Sequence, residues 1–459
     1  MRDENRVSSI AAKPLPQPAS SGPQGPMPEW PTKGTWFRSE IDLREPEGSE
    51  LNNALLARIA SIEGRTRALR PRDALNRSEL VRRIAANALA CNAHRIRPYV
   101  AYMAKSSAYK LEPCWLNGDA MRRTIEFLVE CGLVNVWTGS IGRASSIYAP
   151  SRAFLKLFGE HNVHRDSLVE NVPSKRLIRL RESNRDGPEI AYPDTEETEA
   201  WITQLQAYNR FVGSHSLAVD TSDLGVRRWL KRLNDRNKLK GMPFRYPELF
   251  RTNLFRTFNN GSFAHGGRLY GAWWTNAPRS IRRSVRINGQ ETVEHDYSGH
   301  AIRMLYHERG LDYEGDPYFI DPLWEHAAKS GLPEDHFREA VKALTQALIN
   351  SPSGVNPARA KLIGCSVKPF SKRDVIEMIE AKHSKIADSF ASGDGLRLQR
   401  KDSDLALSII TNLMDQGILT LPIHDSFLVA HTDEDKLIEE MNFRYLASFG
   451  FLPLIKKEE

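Results

Sequence analysis

The stretch Val293-Glu294-His295-Asp296-Tyr297-Ser298-Gly299 decides how the second half of this 459-residue chain folds. Charged and apolar residues alternate up to Tyr297, as they do along a half-buried strand. Gly299 then interrupts the strand, so Asp296 is predicted at its C-terminal edge. That edge is the usual position of ligand-handling groups in α/β sheets. A helix is predicted to follow, with Ile302, Leu305 and Tyr306 on its packed face.

A second aspartate lies in Leu421-Pro422-Ile423-His424-Asp425-Ser426-Phe427. The apolar run Ile418–Ile423 predicts one strand and Phe427–Ala430 predicts a second. His424, Asp425 and Ser426 supply the turn, and turns favour aspartate in any case. The sequence therefore predicts a β-hairpin whose tip projects the Asp425 carboxylate into a cleft.

Between the two aspartates, the sequence predicts a helix over Phe337–Ile349. At 100° per residue its apolar side chains cluster on one side of the helix. Arg338, Lys342 and Gln346 advance by only about 40° each, so they share another stripe. Two cations four residues apart form a clamp that suits the β- and γ-phosphates of a nucleotide, although most such pairs are simply solvated. The apolar positions are Phe337, Val341, Leu344 and Leu348.

Two carboxylates that hold divalent metals, together with a basic helix for a triphosphate, are what nucleotidyl transfer requires. We therefore expect Asp296 and Asp425 to bind two Mg²⁺ ions, with Mn²⁺ as an alternative. Lys342 is the candidate proton donor to the leaving pyrophosphate. Glu294 lies on the same strand face as Asp296, where it either assists metal binding or is a surface residue.

A fourth motif, Gly266-Gly267-Arg268-Leu269-Tyr270, precedes the Asp296 motif. Glycine allows the backbone to approach another molecule closely. Arginine can reach a phosphate or a minor-groove edge. Arg268 is therefore a candidate nucleic-acid contact, and His424 is a candidate for orienting the hairpin tip or a primer end.

The order of these four motifs resembles the superfamily of family A DNA polymerases and single-subunit (phage and mitochondrial type) RNA polymerases. The resemblance covers roughly residues 260–445. Asp296-Tyr297-Ser298-Gly299 is similar to motif A, His424-Asp425-Ser426-Phe427 to motif C in its RNA polymerase form, and Arg338 with Lys342 to the fingers helix. The resemblance implies a polymerase palm with reduced helical fingers, a DNA template and primer, and NTP or dNTP as the substrate.

Two positions depart from the family pattern. The fifth residue after the motif A aspartate is Ala301, where family A DNA polymerases have a glutamate that blocks a 2′-hydroxyl. The position eight residues after Lys342 is Asn350, where the family has an aromatic residue. The first departure predicts that ribonucleotides are tolerated. The resemblance also implies substrate contacts at Tyr297, Ala301, Gln346 and Asn350.

The first half of the chain predicts a DNA-binding module. Residues 1–35 are rich in Pro, Ser and Gly and are predicted to be a disordered tail. Over residues 75–160, helices capped by Ser78 and Asn117 and a following hairpin predict a winged helix-turn-helix; a generic helical bundle with one hairpin is the alternative. Residues 161–245 are interpreted as a linker and a basic helical connector, and 246–459 as the catalytic core. Candidate DNA contacts are Arg122, Arg123 and Arg143.

Composition sets broad limits. The formal net charge is +7 and the pI is about 9.1, which favours a polyanionic partner. No apolar run approaches about 18 residues, so no membrane association is expected. The four cysteines are scattered without a CxxC pair, which favours a reducing, cytoplasmic setting. Basic residues concentrate in two clusters, Arg227–Lys240 and Arg279–Arg286.

Three functions remain open from the sequence. The first is a template-directed polymerase, possible also as a primer-synthesising enzyme, in replication of a mobile element or phage-like locus. The second is a DNA-binding regulator or replication accessory protein with a catalytically inert palm. The third is a two-metal nuclease, which paired carboxylates allow but which leaves Arg338 and Lys342 without a role.

Overall fold

The structure is a computed structural model that describes residues 35–92, 99–103, 116–137, 146–164, 167–172, 174–183, 187–220, 222, 224–229, 251–352 and 355–458. Over these residues the chain is a mixed α/β protein with helices and several sheets, in agreement with the fold class expected from the sequence. It divides into two compact units, Met1–Pro173 with Arg227–Arg251 and Ser174–Val226 with Thr252–Glu459.

The first unit packs helices around a four-stranded sheet with the order β1-β3-β5-β4. A separate two-stranded ladder joins β2 to β6. Its helices are α1 (Glu47–Glu63), α2 (Pro71–Asn92), α3 (Gly118–Glu130) and α4 (Arg152–Glu160), and its strands are β1 (Thr35–Trp36), β2 (Ile41–Leu43), β3 (Val100–Tyr102), β4 (Val134–Trp137), β5 (Ser146–Pro150) and β6 (Leu168–Glu170).

Helix α2 begins seven residues before the predicted cap, Ser78, because Pro71 opens it. Proline has no N–H to leave unsatisfied in a first turn, and its fixed φ suits a helix start. Ser78 instead lies inside the helix, where its hydroxyl accepts a hydrogen bond of 2.8 Å from the Asn52 side chain of α1. The expectation that Ser78 caps a helix was therefore wrong.

Helix α3 and the hairpin that follows it agree with the sequence. The Asn117 side chain accepts a hydrogen bond from the Ala120 N–H and caps α3. Strands β4 and β5 then pair antiparallel. Both Arg122 and Arg123 are exposed on α3, and Arg122 pairs with Glu126 at 2.9 Å. The third candidate DNA contact, Arg143, lies outside the described residues.

The second unit has two larger sheets. One has the order β11-β10-β7-β8; the other has the order β14-β15-β13-β12-β9, with β16 also pairing with β13. Its helices are α5 (Glu196–Gly213), α6 (Arg279–Arg282), α7 (His300–His307), α8 (Asp321–Lys329), α9 (Arg338–Asn350), α10 (Lys372–Lys382), α11 (Gly395–Asp415) and α12 (Glu434–Phe449). Its strands are β7 (Ile178–Arg181), β8 (Glu189–Ile190), β9 (Leu217–Val219), β10 (Phe255–Asn259), β11 (Ser262–Tyr270), β12 (Val285–Ile287), β13 (Gln290–Tyr297), β14 (Thr420–Ile423), β15 (Ser426–Ala430) and β16 (Ile455–Lys457).

The segment interpreted as a linker and basic connector differs from that expectation. Strands β7 and β8 belong to a sheet, since β7 pairs in parallel with β10. Helix α5 opens with a capping box at Thr195, and the first turn of the helix is acidic rather than basic. Ile178 and Leu180 are buried. Their alternation with charged residues is too short to have indicated a strand in the sequence.

The two basic clusters have different outcomes. Most of the first cluster, residues 230–240, lies outside the described residues. In the second cluster three of the four arginines pair with carboxylates of the same unit. Arg279 pairs with Glu458, Arg282 with Glu294, and Arg286 with Asp220 and Glu291.

None of the helices that the structure describes combines the length and the apolar character that a membrane span requires.

A tyrosine in α5 donates a hydrogen bond to a backbone carbonyl of β14, the strand at the edge of its sheet. The Tyr208 hydroxyl, fully buried, donates a hydrogen bond of 2.6 Å to the Thr420 carbonyl. We expect Tyr208→Phe to lower the free energy of unfolding by about 1–3 kcal/mol, since a buried carbonyl loses its partner. Urea unfolding monitored by circular dichroism measures this loss. The matched control is Tyr192→Phe, whose half-buried hydroxyl bonds to the Ile178 carbonyl at 3.1 Å; equal losses in both variants would contradict the prediction.

Candidate active site

The pairing of β13 with β15 places the two predicted aspartates next to each other. Asp296 lies directly opposite Ser426 in this antiparallel ladder. Asp425 precedes Ser426 at the turn of the β14–β15 hairpin, where its carbonyl accepts a hydrogen bond of 3.4 Å from the Tyr297 N–H. The strand end and the hairpin tip predicted from the sequence are therefore both present, and the ladder brings them together.

Glu294 holds the two strands together from within the sheet. It is buried, and its carboxylate accepts two hydrogen bonds from Arg282 at 2.7 and 2.8 Å. The Ser426 hydroxyl donates a third, of 2.7 Å, to the same carboxylate. Glu294 is thus neither a surface residue nor free to bind a metal. Its contacts fix the strand that carries Asp425 against the strand that carries Asp296.

The two aspartates face a cleft of about 530 Å³. Helix α9 forms one wall of this cleft and α11 another, and the residues around Asp296 form its floor. The sequence-predicted residues that line it are Arg268, Asp296, Tyr297, Ala301, Arg338, Lys342, Gln346, Asn350 and Asp425.

Asp296 is in an unfavourable position for a charged group. Burial, together with the neighbouring charges of Asp425 and Glu458, raises the pKa of Asp296 to about 8, while Lys342 acts in the opposite direction. Its Oδ1 atom is buried and has no hydrogen-bond partner among the described residues. A cation between the two carboxylates would relieve both features, because it would neutralise the charge and coordinate the unpartnered oxygen.

The donor set fits Mg²⁺. Within the described part of the chain, no group of three or more His, Cys, Asp or Glu side chains is arranged to hold a metal ion. Asp296 and Asp425 are the carboxylates that would hold a divalent ion here. Magnesium is typically bound by one or two carboxylates, with waters and substrate phosphates completing its shell.

Helix α9 carries the predicted cations on a wall of the same cleft. Arg338 Nε donates to Asp316 Oδ2 at 2.7 Å, and its guanidinium lies 5.3 Å from the centre of the Tyr318 ring. Lys342 is exposed to the cleft, near enough to lower the pKa of Asp296. Arg338, Lys342 and Gln346 therefore line the cleft along one face of α9, as predicted, but Arg338 is already paired with the Asp316 carboxylate.

The last turn of α9 forms the far end of the cleft. Burial raises the pKa of Tyr318 to about 12, although a hydrogen bond with Gln346 lowers it. The Asn350 side chain donates a hydrogen bond of 2.7 Å to the Gln346 carbonyl. A Cβ atom on Gly395 would lie 2.1 Å from Asn350 Oδ1. Asn350 is therefore packed closely against the start of α11.

Arg268 is anchored at the boundary of the cleft by a buried carboxylate. Asp402, on α11, accepts hydrogen bonds from His300 at 3.1 Å and from Arg268 at 3.4 Å. Burial would raise the pKa of Asp402, but these two partners lower it below its ordinary value. Asp402 therefore remains charged and holds the Arg268 guanidinium in place.

His424 occupies the first turn position of the hairpin with φ +57°, in the left-handed region. Burial lowers the pKa of His424, and the positive charge of Arg268 lowers it further. The imidazole is therefore neutral near pH 7, and its buried Nδ1 atom has no hydrogen-bond partner among the described residues. Its ring lies 5.9 Å from the ring of Tyr270.

Two sequence-predicted contacts have a different role in the structure. Tyr297 is buried, donates a hydrogen bond of 2.8 Å to the Met441 carbonyl and stacks on His300 at 4.9 Å. These contacts hold Tyr297 in the core beside the site, and its hydroxyl is already hydrogen-bonded to the backbone. Gly267 brings β11 close to α11, because a Cβ atom there would lie 2.8 Å from Ser403 Oγ. This glycine therefore serves packing within the protein.

Sequence reasoning missed three groups that line the cleft: Glu458, Asp402 and His300. Glu458 follows β16, which pairs with β13 at the edge away from β15. No local motif marks Glu458, because its proximity to Asp296 depends on strand pairing. The sequence did contain a signal for Asp402, which is a charged residue on the apolar face of α11. Burying such a residue is costly without partners, so its position indicates a buried ion pair.

Comparison with known proteins gives only a distant likeness. No protein-family model and no curated protein matches this chain. Among solved structures, the chain is similar to the POL domain of Pol1 from M. smegmatis in complex with DNA primer-template and dNTP. The alignment covers 92% of this chain and 67% of that chain, with 14% sequence identity and a TM-score of 0.30. A likeness of this size leaves the argument about function to the site itself.

The raised pKa of Asp296 predicts a pH-dependent cost to stability. The folded protein holds a proton at Asp296 that an unfolded chain loses near pH 3.8. Stability therefore falls as pH rises from about 4 to about 8. In metal-free buffer we expect Asp296→Asn to be more stable than the wild type by roughly 2–4 kcal/mol at pH 8, and by little at pH 4.

Urea unfolding at several pH values in the presence of a chelator measures this difference. The control is Asp388→Asn, a carboxylate whose side chain is 78% exposed. A stability difference between Asp296→Asn and the wild type that stays constant from pH 4 to pH 8 would contradict the prediction.

Proposed function

We propose that this protein is a template-directed nucleic-acid polymerase that acts by a two-metal-ion mechanism. The observation that carries the proposal is that Asp296, at the end of β13, and Asp425, at the turn before β15, line one cleft with Lys342 of α9. Two carboxylates and a cation in one cleft match the needs of a metal-bound triphosphate. The order of the four motifs in the sequence also supports this proposal.

Asp296 and Asp425 would hold Mg²⁺, which supplies the Lewis acidity that activates a 3′-hydroxyl and stabilises a departing pyrophosphate. The side chains of Lys342 and Arg338 bind the triphosphate, and Lys342 donates a proton to the leaving pyrophosphate. Arg338 exchanges its contact with Asp316 for a phosphate oxygen. Arg268 and His424 contact the nucleic acid at the hairpin end of the cleft.

The proposal extends to the first unit. Helix α3, with the exposed Arg122 and Arg123, followed by the β4–β5 hairpin, supports a winged helix-turn-helix that places the catalytic unit on DNA. Binding of duplex DNA by this unit suits both an active polymerase and a regulator with an inert palm. Catalysis by the second unit distinguishes the two.

Extension of primed and unprimed DNA templates, with NTPs and dNTPs supplied separately, tests the proposed chemistry. We expect Mg²⁺-dependent, template-dependent products from the wild type. Asp296→Asn and Asp425→Asn each lower the rate at least about a hundredfold, because each removes several kcal/mol of transition-state stabilisation. Asp388→Asn retains the wild-type rate.

Absence of any product from the wild type, with DNA binding intact, would refute the polymerase and favour the regulator. Metal-dependent cleavage of the template without synthesis would favour the nuclease.

Ala301 is proposed to leave room for a ribose 2′-hydroxyl. It lies half-buried in the cleft, on the turn of α7 that follows Asp296. We expect Ala301→Glu to lower kcat/KM for NTPs at least about tenfold relative to dNTPs, since a carboxylate in this position collides with the 2′-hydroxyl. The control Ala301→Ser adds one atom and changes the ratio little. The ratio of kcat/KM values measures selectivity, and an unchanged ratio in Ala301→Glu would exclude a gate at this position.

A further inference from the structure

A second cleft, of about 860 Å³, lies in the same unit and adjoins the cleft of the aspartates. Arg268, Asn350 and Gln399 line both clefts, so the two spaces meet at these residues. Tyr270 and His424 of the second cleft belong to the sequence motifs, whereas its residues on β7 and β10 belong to none of them and have no role in the proposed chemistry. Its floor is one face of the β11-β10-β7-β8 sheet.

Alternation along the strands determines what this sheet face presents. On β10, Phe255 and Asn259 point to the same side as Thr257, whereas Arg256 and Phe258 point to the opposite side and are buried. On β7, Ile178 and Leu180 are buried, so Arg179 and Arg181 take the cleft side with period two. The polar and aromatic residues of both strands thus share one surface.

The strand registers arrange these residues in rows across the sheet. Thr257 on β10 pairs with Arg268 on one side and with Arg179 on the other. In a neighbouring row, Phe255 pairs with Tyr270. The result is a row with an arginine on each side of a threonine, next to a row of two aromatic rings.

The charge of this surface is positive. The described residues that line the cleft include Arg179, Arg181 and Arg268 and no acidic residue. The Arg179 guanidinium lies 3.5 Å from the centre of the Phe255 ring. Glu189, on β8 at the edge of the sheet, lies 3.6 Å from Arg179 without lining the cleft. A polyanion with flat groups complements such a surface.

We infer that this sheet face binds a single strand of nucleic acid. Its phosphates bind Arg181 and Arg179, which leaves the Phe255 ring for a phosphate, and its bases stack on Phe255 and Tyr270. Aromatic rings on a basic surface bind unpaired bases, because the faces of bases inside a duplex already stack on one another. A strand on this face reaches Arg268 and His424, and so leads to the cleft of the aspartates. The inference concerns binding alone and does not depend on the proposed polymerase activity.

Fluorescence anisotropy of the full chain tests this inference with a labelled oligodeoxythymidine of about twelve nucleotides, a length within the range that single-strand sites cover. Measurements in EDTA exclude catalysis. We expect Phe255→Ala to weaken binding at least about fivefold, the lower end of the loss from one base–aromatic stack. We expect Arg179→Gln with Arg181→Gln to reduce the slope of log affinity against log salt by about 1.4, or about 0.7 per phosphate contact.

Two exposed side chains on other surfaces provide matched controls. Arg373 is 85% exposed and Phe443 is 59% exposed. Arg373→Gln and Phe443→Ala should retain the wild-type affinity and salt slope. Equal affinities for all variants would overturn the inference. Competition by an unlabelled duplex of the same length, as effective as competition by the single strand and equally weakened in the variants, would overturn the choice of a single strand.

A second measurement avoids substitution altogether. An oligonucleotide that contains 5-iododeoxyuridine is irradiated on the wild-type protein, and the crosslinked peptides are identified by mass spectrometry. Crosslinks at Phe255 or Tyr270 support the inference. Crosslinks confined to other surfaces overturn it, whether or not nucleotidyl transfer is detected, so its failure is distinguishable from that of the proposed function.

Discussion

The antiparallel pairing of β13 with β15 is the constraint on which the candidate active site depends. With Ser426 opposite Asp296, the hairpin turn lies beside the strand end and the two carboxylates share one cleft. A slip of one residue would turn every side chain of the strand to the other face of the sheet. The buried contacts of Glu294 with Arg282 and Ser426 join these strands in the observed register.

Within this frame the protein keeps several charged groups where burial is costly. Asp402 is stabilised by His300 and Arg268, and Glu294 by Arg282 and Ser426. Asp296 differs from both, because one of its oxygens has no partner in the described part of the chain. Asp402 and Glu294 have their hydrogen-bond partners within the protein, whereas Asp296 has an oxygen that a ligand could bind. This contrast distinguishes the structural carboxylates from the candidate functional one.

Local patterns predicted the elements of the site, and long-range pairing determined its composition. The strand end at Asp296, the hairpin at Asp425 and the stripe of Arg338 and Lys342 followed from periodicity and turn chemistry, which depend on neighbouring residues. Glu458 reaches the cleft only because β16 pairs with β13.

The errors have the same physical origin. Residues 161–245 were interpreted as a linker and connector because charged residues interrupt their short apolar alternation. Strand β7 of this segment nevertheless pairs with β10, far away in sequence. The second basic cluster contributes to the positive charge that favours a polyanionic partner, although three of its four arginines pair with carboxylates. The partners of an arginine are set by tertiary contacts, which composition does not reveal.

The order of strands in the second unit has a consequence for synthesis on the ribosome. Strand β7 precedes its partner β10 in the chain, and β9 precedes β12, while Arg227–Arg251 belongs to the other unit. The early strands therefore emerge with unpaired edges and wait for partners that are translated much later. Pairings of this kind close slowly and leave strand edges open to association. Chaperones that shield nascent strands should therefore raise the yield of this protein.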